Sequence, residues 1–114
     1  MDVVYYANYL VWFEVARADL MRVRGQTYRE LEEKGVILPV IEARCEYKQP
    51  ARYDEEIDVT TVAEVLSPVR MKFTYQVIRR ADLALLAAGH TMHAAVDERG
   101  RPCRLPDWLR EAFA

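Results

Sequence analysis

Residues 3–17, VVYYANYLVWFEVAR, decide how this chain is organised. Asn8 is a favourable helix N-cap, and apolar residues recur after it at steps of three and four. This spacing predicts one face of an amphipathic helix, made of Tyr9, Phe13, Ala16, Leu20 and Val23. Because Trp12, Val15 and Met21 widen the apolar stripe, we expect a central helix that is covered on several sides.

The rest of the chain predicts a short second helix, four strands and a terminal helix. Gly25 ends the first helix, and Thr27 with Glu30 forms a capping-box pattern for the second. Alternating apolar and β-branched residues predict strands at 36–47, with an irregularity, and at 57–65, 71–77 and 86–96. Gly89 indicates a bulge or a close backbone approach, and a short helix follows Pro106. We therefore expect one α+β layer, with the long helix across one face of an antiparallel sheet.

Composition limits the function classes. The 114 residues fit one domain, 1–114, and 52% hydrophobic with 30% charged residues is typical of a soluble globular protein. A net charge of -2 gives no reason to expect nucleic acid as a partner. Without a signal-peptide pattern or a membrane-length apolar run, we expect a cytoplasmic protein without membrane insertion. Cys45 and Cys103 lack metal-ligand spacing, and His90 and His93 fall on opposite strand faces, so no metal site is expected.

Four stretches carry a family resemblance: residues 3–17, RGQTYRELEEKGVILPVIEARCEYKQPARYDEEIDV, RMKFTYQVIRR and AAGHTMHAAVDERGRPCRLP. They resemble the hotdog-fold acyl-CoA thioesterases, and within them the 4-hydroxybenzoyl-CoA thioesterase branch that includes enzymes associated with the Tol–Pal envelope system. The resemblance implies a long central helix wrapped by a curved antiparallel sheet. It also implies a homodimer whose sheets join, or a homotetramer, with acyl-CoA as substrate. No cofactor is expected.

Thioester hydrolysis first needs a group that stabilises negative charge on the carbonyl oxygen. The N–H groups and the dipole at a helix N-terminus suit this task. The resemblance places the polarising backbone N–H at Tyr6, and we expect Tyr5, Ala7 and Asn8 to contact the substrate at the same entrance. For the side chains of Tyr5 and Tyr6, ordinary aromatic packing is expected.

The reaction also needs a carboxylate that attacks the carbonyl or activates water. In relatives, Asp, two variable residues and Gly precede the two valines, so the family's catalytic Asp would fall before Met1. We therefore expect a chain that begins inside this motif, truncated before its first strand. Asp2 either replaces the catalytic carboxylate or is a solvated terminal residue. Glu14 is expected to be structural or interfacial.

Arg70 and Lys72 share one face at the start of a predicted strand. They either bind the phosphates of CoA or act as edge-strand charges that discourage aggregation. Two functions follow from the sequence. The chain is an acyl-CoA thioesterase, or it is a catalytically impaired hotdog dimer that binds acyl-CoA or a partner protein.

Overall fold

A computed structural model describes residues 7–25 and 27–113. The elements, in chain order, are α1 (Ala7–Arg24), α2 (Tyr28–Glu33), β1 (Val40–Tyr47), β2 (Ile57–Ser67), β3 (Arg70–Arg79), β4 (Leu85–Ala94) and α3 (Asp107–Ala112). The predicted order of helices and strands is therefore confirmed. No helix in these ranges is long and apolar enough to cross a bilayer.

The four strands form one antiparallel sheet in the order β1-β4-β3-β2. β1 pairs with β4, the last strand, and not with β2, its neighbour in the chain. Within the described residues, β1 and β2 are thus the two edge strands, while β3 and β4 are interior. The irregularity expected in the first strand is confirmed, because the register of β1 against β4 shifts between Val40 and Glu42.

Gly89 marks a close approach between helix and sheet. A Cβ atom built on it would overlap the carbonyl oxygen of Arg44 and lie 2.8 Å from a ring carbon of Phe13. Gly89 keeps an unbroken register with Cys45 on one side and Tyr75 on the other. Of the two interpretations of this glycine, the close approach is confirmed and the bulge is wrong.

Helix α1 packs on the inner face of the sheet through Tyr9, Phe13 and Met21, which are fully buried. The Phe13 ring stacks on Tyr75 of β3, with centroids 4.2 Å apart and planes 5° apart. The inward side chains of β3, which complete this layer, are Met71, Phe73, Tyr75 and Val77. The sequence pattern predicted this contact between helix and sheet correctly.

The start and the stripe of α1 differ from the prediction. Asn8 is not the N-cap, since the helix already includes Ala7. Leu20 is only partly buried, whereas Val15 and Val23 are 55% and 76% exposed. The sheet covers one side of the helix, so the described part of the chain leaves an apolar flank of α1 open.

The shorter helices follow their local signals. The Thr27 hydroxyl accepts a hydrogen bond of 3.1 Å from the Glu30 N–H, and the Glu30 carboxylate accepts one of 3.2 Å from the Thr27 N–H. The predicted capping box of α2 is therefore confirmed. Gly35 follows α2 with φ +82, a conformation that favours glycine. Helix α3 begins directly after Pro106, as expected.

A buried polar chain crosses the core on the inner face. His93 Nδ1 donates to the Leu38 carbonyl oxygen at 2.8 Å, which leaves Nε2 to accept from the Thr91 hydroxyl at 2.9 Å. The Thr91 hydroxyl then accepts from Tyr75 at 2.6 Å. Burial lowers the pKa of His93, so the imidazole stays neutral. His90, as predicted, lies on the other face of β4, where it contacts Glu42.

Candidate active site at the start of the long helix

The predicted site residues are of three kinds: those outside the described residues, those at the start of α1, and Arg70 with Lys72 on β3. Asp2, Tyr5 and Tyr6 lie outside the described residues, so their roles stay predictions. Ala7 and Asn8 form the beginning of α1. The first N–H groups of an α-helix lack acceptors within the helix, and they are free to bind an anion or a carbonyl oxygen at this end.

A hollow of about 260 Å³ lies beside this helix start. We call it the entrance hollow; it is lined by Asn8, Trp12, Ala51, Arg52, Tyr53, Asp54, Glu55 and Ile57. One wall is therefore the first turns of α1, and the other is the loop between β1 and β2. That loop contains the PARYDEE sequence, which the resemblance includes but to which the sequence assigned no role.

Tyr9 holds the loop against the helix. Its phenol oxygen accepts a hydrogen bond of 3.2 Å from the Ala51 backbone N–H, and both residues are buried. Its ring meets Trp12 and Tyr47 edge-on, with centroids 4.8 Å and 5.0 Å apart. The sequence pattern indicated Tyr9 as a core residue only. A buried tyrosine hydroxyl needs a hydrogen-bond partner. The presence of Tyr9 in an otherwise apolar stripe was therefore the signal that could have indicated this contact.

Two carboxylates on the loop also line the entrance hollow. Glu55 accepts from the Arg52 N–H at 2.7 Å and pairs with Arg79 of β3 at 2.5 Å, where both side chains are mostly buried. Asp54 sits in the turn with φ 71. The loop thus brings two carboxylates to the hollow beside the helix start, a proximity that the sequence separation concealed.

A second hollow, of about 270 Å³, opens at the edge of the sheet. Its lining, which defines the edge hollow, is Tyr9, Tyr47, Lys48, Gln49 and Pro50. Tyr9 is a wall of this hollow, and its helix neighbours Asn8 and Trp12 line the entrance hollow. Neighbouring residues at the start of α1 therefore border both hollows.

Arg70 and Lys72 lie on the outer face of the sheet, opposite to α1. Lys72 lines a shallow hollow of about 270 Å³ together with Arg44 and His90. Because β3 is an interior strand, the interpretation of Arg70 and Lys72 as edge-strand charges is wrong. Within the described residues of a single chain, Arg70 and Lys72 are not in the same site as Asn8.

Glu14 and the cysteines have no contact with the entrance hollow. Glu14 lines a groove between α1 and β1 with Leu10, Val11 and Val40, and its structural or interfacial role stays a prediction. Cys45 and Cys103 are both free thiols, and burial raises the pKa of each. Within residues 7–25 and 27–113, no group of three His, Cys, Asp or Glu side chains is placed to hold a metal.

The fold and the comparisons with known proteins define the class of this protein. The chain belongs to the thioesterase-like superfamily, whose family model matches residues 1–113. The hotdog fold predicted from the sequence is confirmed, and in class the protein is a thioester hydrolase.

Individual relatives match almost all of the chain. It is 35% identical to YneP of Bacillus subtilis over 95% of this chain and 81% of that protein. It is 28% identical to the acyl-CoA thioester hydrolase YbgC of Escherichia coli O157:H7, over 97% and 83%. Among solved structures, the DHNA-CoA thioesterase of Staphylococcus aureus has 33% identity and a TM-score of 0.88, over 98% of this chain and 77% of that chain.

Proposed function

We propose that this chain hydrolyses an acyl-CoA thioester to the free acid and CoA at the start of α1. The observation that carries the proposal is the helix start itself, which opens on the entrance hollow and is held there by the bond from Ala51 to Tyr9. The names of YbgC and of the Staphylococcus aureus enzyme support acyl-CoA as the substrate class. The 4-hydroxybenzoyl-CoA branch and the cytoplasmic location stay predictions.

In the proposed mechanism, the thioester carbonyl oxygen accepts a hydrogen bond from the backbone N–H of Tyr6. Negative charge develops on that oxygen in the transition state, where the helix dipole and the N–H stabilise it. A carboxylate removes a proton from water, and the resulting hydroxide adds to the carbonyl carbon. The tetrahedral intermediate then expels the CoA thiolate, which takes up the proton, and the acid remains.

Asp2 is the proposed carboxylate within this sequence. The test is CoA release from a panel of short-chain and aromatic acyl-CoAs by four proteins: the chain itself, Asp2→Asn, Asp54→Asn and Asp19→Asn. Asp19 is a matched control because its ion pair with Arg22 lies well along α1, away from the entrance hollow. Loss of activity in Asp2→Asn alone would support the assignment. Loss in Asp54→Asn alone would transfer the role to the loop, and equal activity in all four would exclude both residues.

The second candidate function is an acyl-CoA-binding module without hydrolysis. The observation that favours it is the engagement of Glu55, a carboxylate beside the entrance, by Arg79. A thioether analogue of acyl-CoA separates the two candidates, since it binds but has no scissile thioester. Calorimetric binding of the analogue, with no CoA release from any thioester in the panel, would favour the module. If the chain neither bound the analogue nor released CoA, both functions would be excluded.

We also propose Arg70 and Lys72 as contacts of the CoA phosphates. Neither forms an ion pair among the described residues, so both charges are available to an anion. Changing Lys72→Gln should raise KM and leave kcat unchanged, with the larger effect at low salt. Lys34→Gln, at the far end of α2, is the control. Arg70→Gln should have the same effect as Lys72→Gln. A KM that is unchanged in both of these variants would make Arg70 and Lys72 ordinary surface charges.

A homodimer is the proposed assembly. Leu10, Val11 and Val15 of α1 and Val40 and Ile41 of β1 are about half exposed. Leu10, Val11 and Val40 border one groove. An apolar surface of this kind marks an interface in a chain of this size. Sedimentation or light scattering should give twice the chain mass or, for the tetramer, four times. A stable monomer at micromolar concentration would contradict this assembly.

A further inference from the structure

One wall of the entrance hollow is a short piece of loop without regular structure. Residues 52–55, which we call the wall segment, all line the hollow. The chain between Tyr47 and Ile57 is described throughout, and it forms neither a helix nor a strand. The position of the wall segment therefore depends on its contacts with the rest of the chain. The bond from Ala51 to Tyr9 anchors the loop just before the segment begins.

Glu55 anchors the other end of the wall segment with both oxygens of its carboxylate. Its Oε1 accepts a hydrogen bond of 2.7 Å from the Arg52 N–H, which closes the segment on itself. Its Oε2 lies 2.5 Å from Nε of Arg79, in the interior strand β3. The side chains of Arg79 and Glu55 are only 21% and 22% exposed, so this ion pair is largely removed from water. The wall segment is thus tied directly to the sheet.

Arg79 is itself fixed by the turn that follows β3. Its Nη1 donates to one oxygen of Asp82 at 3.0 Å, and the other oxygen accepts from the Ala84 N–H at 3.1 Å. Backbone hydrogen bonds from Arg79 to Ala84 and from Leu83 to Arg79 close the turn. The Ala84 N–H, together with Arg79, lowers the pKa of Asp82, so this carboxylate keeps its charge. The guanidinium of Arg79 therefore bridges two carboxylates, and one of them belongs to its own turn.

The next residue, Arg80, contacts the same loop in a different environment. It pairs with Glu56 at 2.8 Å and with Asp58 at 2.7 Å, and these three side chains are 48% to 73% exposed. Neither Glu56 nor Asp58 is among the residues that line the entrance hollow. Exposed ion pairs contribute little, whereas breaking a largely buried pair leaves a charge without a partner. Of the two arginines, Arg79 is therefore the one whose loss should move the wall segment.

We propose that Arg79 is a positioning residue of the hydrolase, which holds Glu55, and through Glu55 the wall segment, in the position that binds the substrate. Arg79 is not among the residues that line the entrance hollow, so it acts through Glu55 and not by contact with the substrate. Without the guanidinium, the largely buried carboxylate must reach water, and the wall segment moves with it. This inference rests on the proposed function and deepens it.

Steady-state kinetics give the first test. Arg79→Gln is compared with Arg80→Gln, a matched control that removes two ion pairs of the same loop. The substrate is the acyl-CoA that the wild type hydrolyses fastest. Arg79→Gln should raise KM about tenfold and change kcat by less than about threefold, because the wall binds the ground state and the transition state alike. Arg80→Gln should stay within about twofold of the wild type in both constants.

Amide hydrogen exchange, measured residue by residue with NMR, tests the position of the wall segment without a substrate. In Arg79→Gln the Arg52 N–H should exchange about tenfold faster or more, because its acceptor is Glu55. The Ala51 N–H, which is bonded to Tyr9, is an internal control and should change less. In Arg80→Gln both amides should exchange as in the wild type. Unchanged exchange at Arg52 in Arg79→Gln would overturn the proposal.

A double-mutant cycle tests whether the effect of Arg79 passes through Glu55. Glu55→Gln is made alone and together with Arg79→Gln. If Glu55 is the link, KM of the double variant should be no higher than that of Arg79→Gln, because no unpaired carboxylate remains. Single effects that multiply in the double variant would mean that the two residues act independently, and they would overturn the proposal.

A conservative variant separates positioning from folding. Arg79→Lys keeps the charge but not the two-armed geometry, so it can pair with Glu55 or Asp82 but not with both. It should raise KM by a smaller factor than Arg79→Gln, and it replaces that variant if Arg79→Gln does not fold. A lower Tm with unchanged KM and unchanged Arg52 exchange would give Arg79 a structural role only and overturn the proposal. A wild type that hydrolyses no acyl-CoA would overturn the proposed function, and this inference with it.

Discussion

The phenol oxygen of Tyr9 and the backbone N–H of Ala51 are joined by a hydrogen bond of 3.2 Å, and both residues are 1% exposed. This bond connects the first turn of α1 to the loop between β1 and β2, and it therefore fixes two walls around the proposed site. A buried N–H without an acceptor is destabilising, because it has lost its hydrogen bond to water.

We therefore expect Tyr9→Phe to lower the free energy of unfolding by about 1–3 kcal/mol. Urea denaturation followed by circular dichroism measures the change. Tyr53→Phe is the control, since that ring is exposed and its loss of a hydroxyl should change stability by less than about 0.5 kcal/mol. Equal stability of Tyr9→Phe and the wild type would mean that the Ala51 N–H has another partner in solution.

Phe13 should contribute more than any other residue of the α1 stripe. Its ring is fully buried and stacks on Tyr75, so Phe13→Ala should cost about 3–5 kcal/mol in a denaturation experiment. Leu20→Ala should cost less, because Leu20 is only partly buried. Val23→Ala, at an exposed position, is the control and should be nearly neutral. A loss below about 1 kcal/mol for Phe13→Ala would contradict the central position of the helix.

Gly89→Ala tests how closely the helix approaches the sheet. The added methyl group would overlap the Arg44 carbonyl oxygen and crowd the Phe13 ring, so the sheet or the helix must move. We expect a loss of about 1–3 kcal/mol in unfolding free energy, the usual cost of overpacking. Ala88→Ser, one residue earlier on the outer face, is the control. If Gly89→Ala were as stable as the wild type, β1 and α1 would have room to separate here.

Most of the fold could be predicted from the sequence, because the local sequence signals and the pattern of apolar residues indicate the same helices and strands. The capping box at Thr27 and the alternation in β3 each indicate one structure, and the structure contains both. The pairing of β1 with β4 and the exposure of Val15 were harder to predict from the sequence. Both depend on which surfaces pack together in the folded chain. Hydrophobic periodicity indicates that a helix or strand has an apolar face, but it does not indicate which element covers that face. The bond from Ala51 to Tyr9 joins residues 42 positions apart, which no local pattern encodes.

His93 should make the stability of the protein depend on pH. Burial lowers the pKa of this imidazole below the value of about 6.5 that it has in the unfolded chain. Between these two values the unfolded state binds a proton that the folded state does not, so stability falls as the pH decreases below about 6.5. Above that pH, the contribution of His93 is constant. The slope from this one group is at most about 1.4 kcal/mol per pH unit.

The free energy of unfolding should be measured for the wild type, His93→Gln and His90→Gln. The pH series runs from about 8 to about 5, so that it covers both sides of the ordinary imidazole pKa. Removing the buried imidazole should lower stability at the alkaline end, because Thr91 and Leu38 lose their partner. The same change should flatten the decline at lower pH, since no proton is left to bind at that position. His90→Gln, on the outer face, should keep the decline of the wild type. If His93→Gln declined as steeply as the wild type, the imidazole would not be held neutral by burial, and the buried chain from Leu38 to Tyr75 would have to accommodate a charged ring.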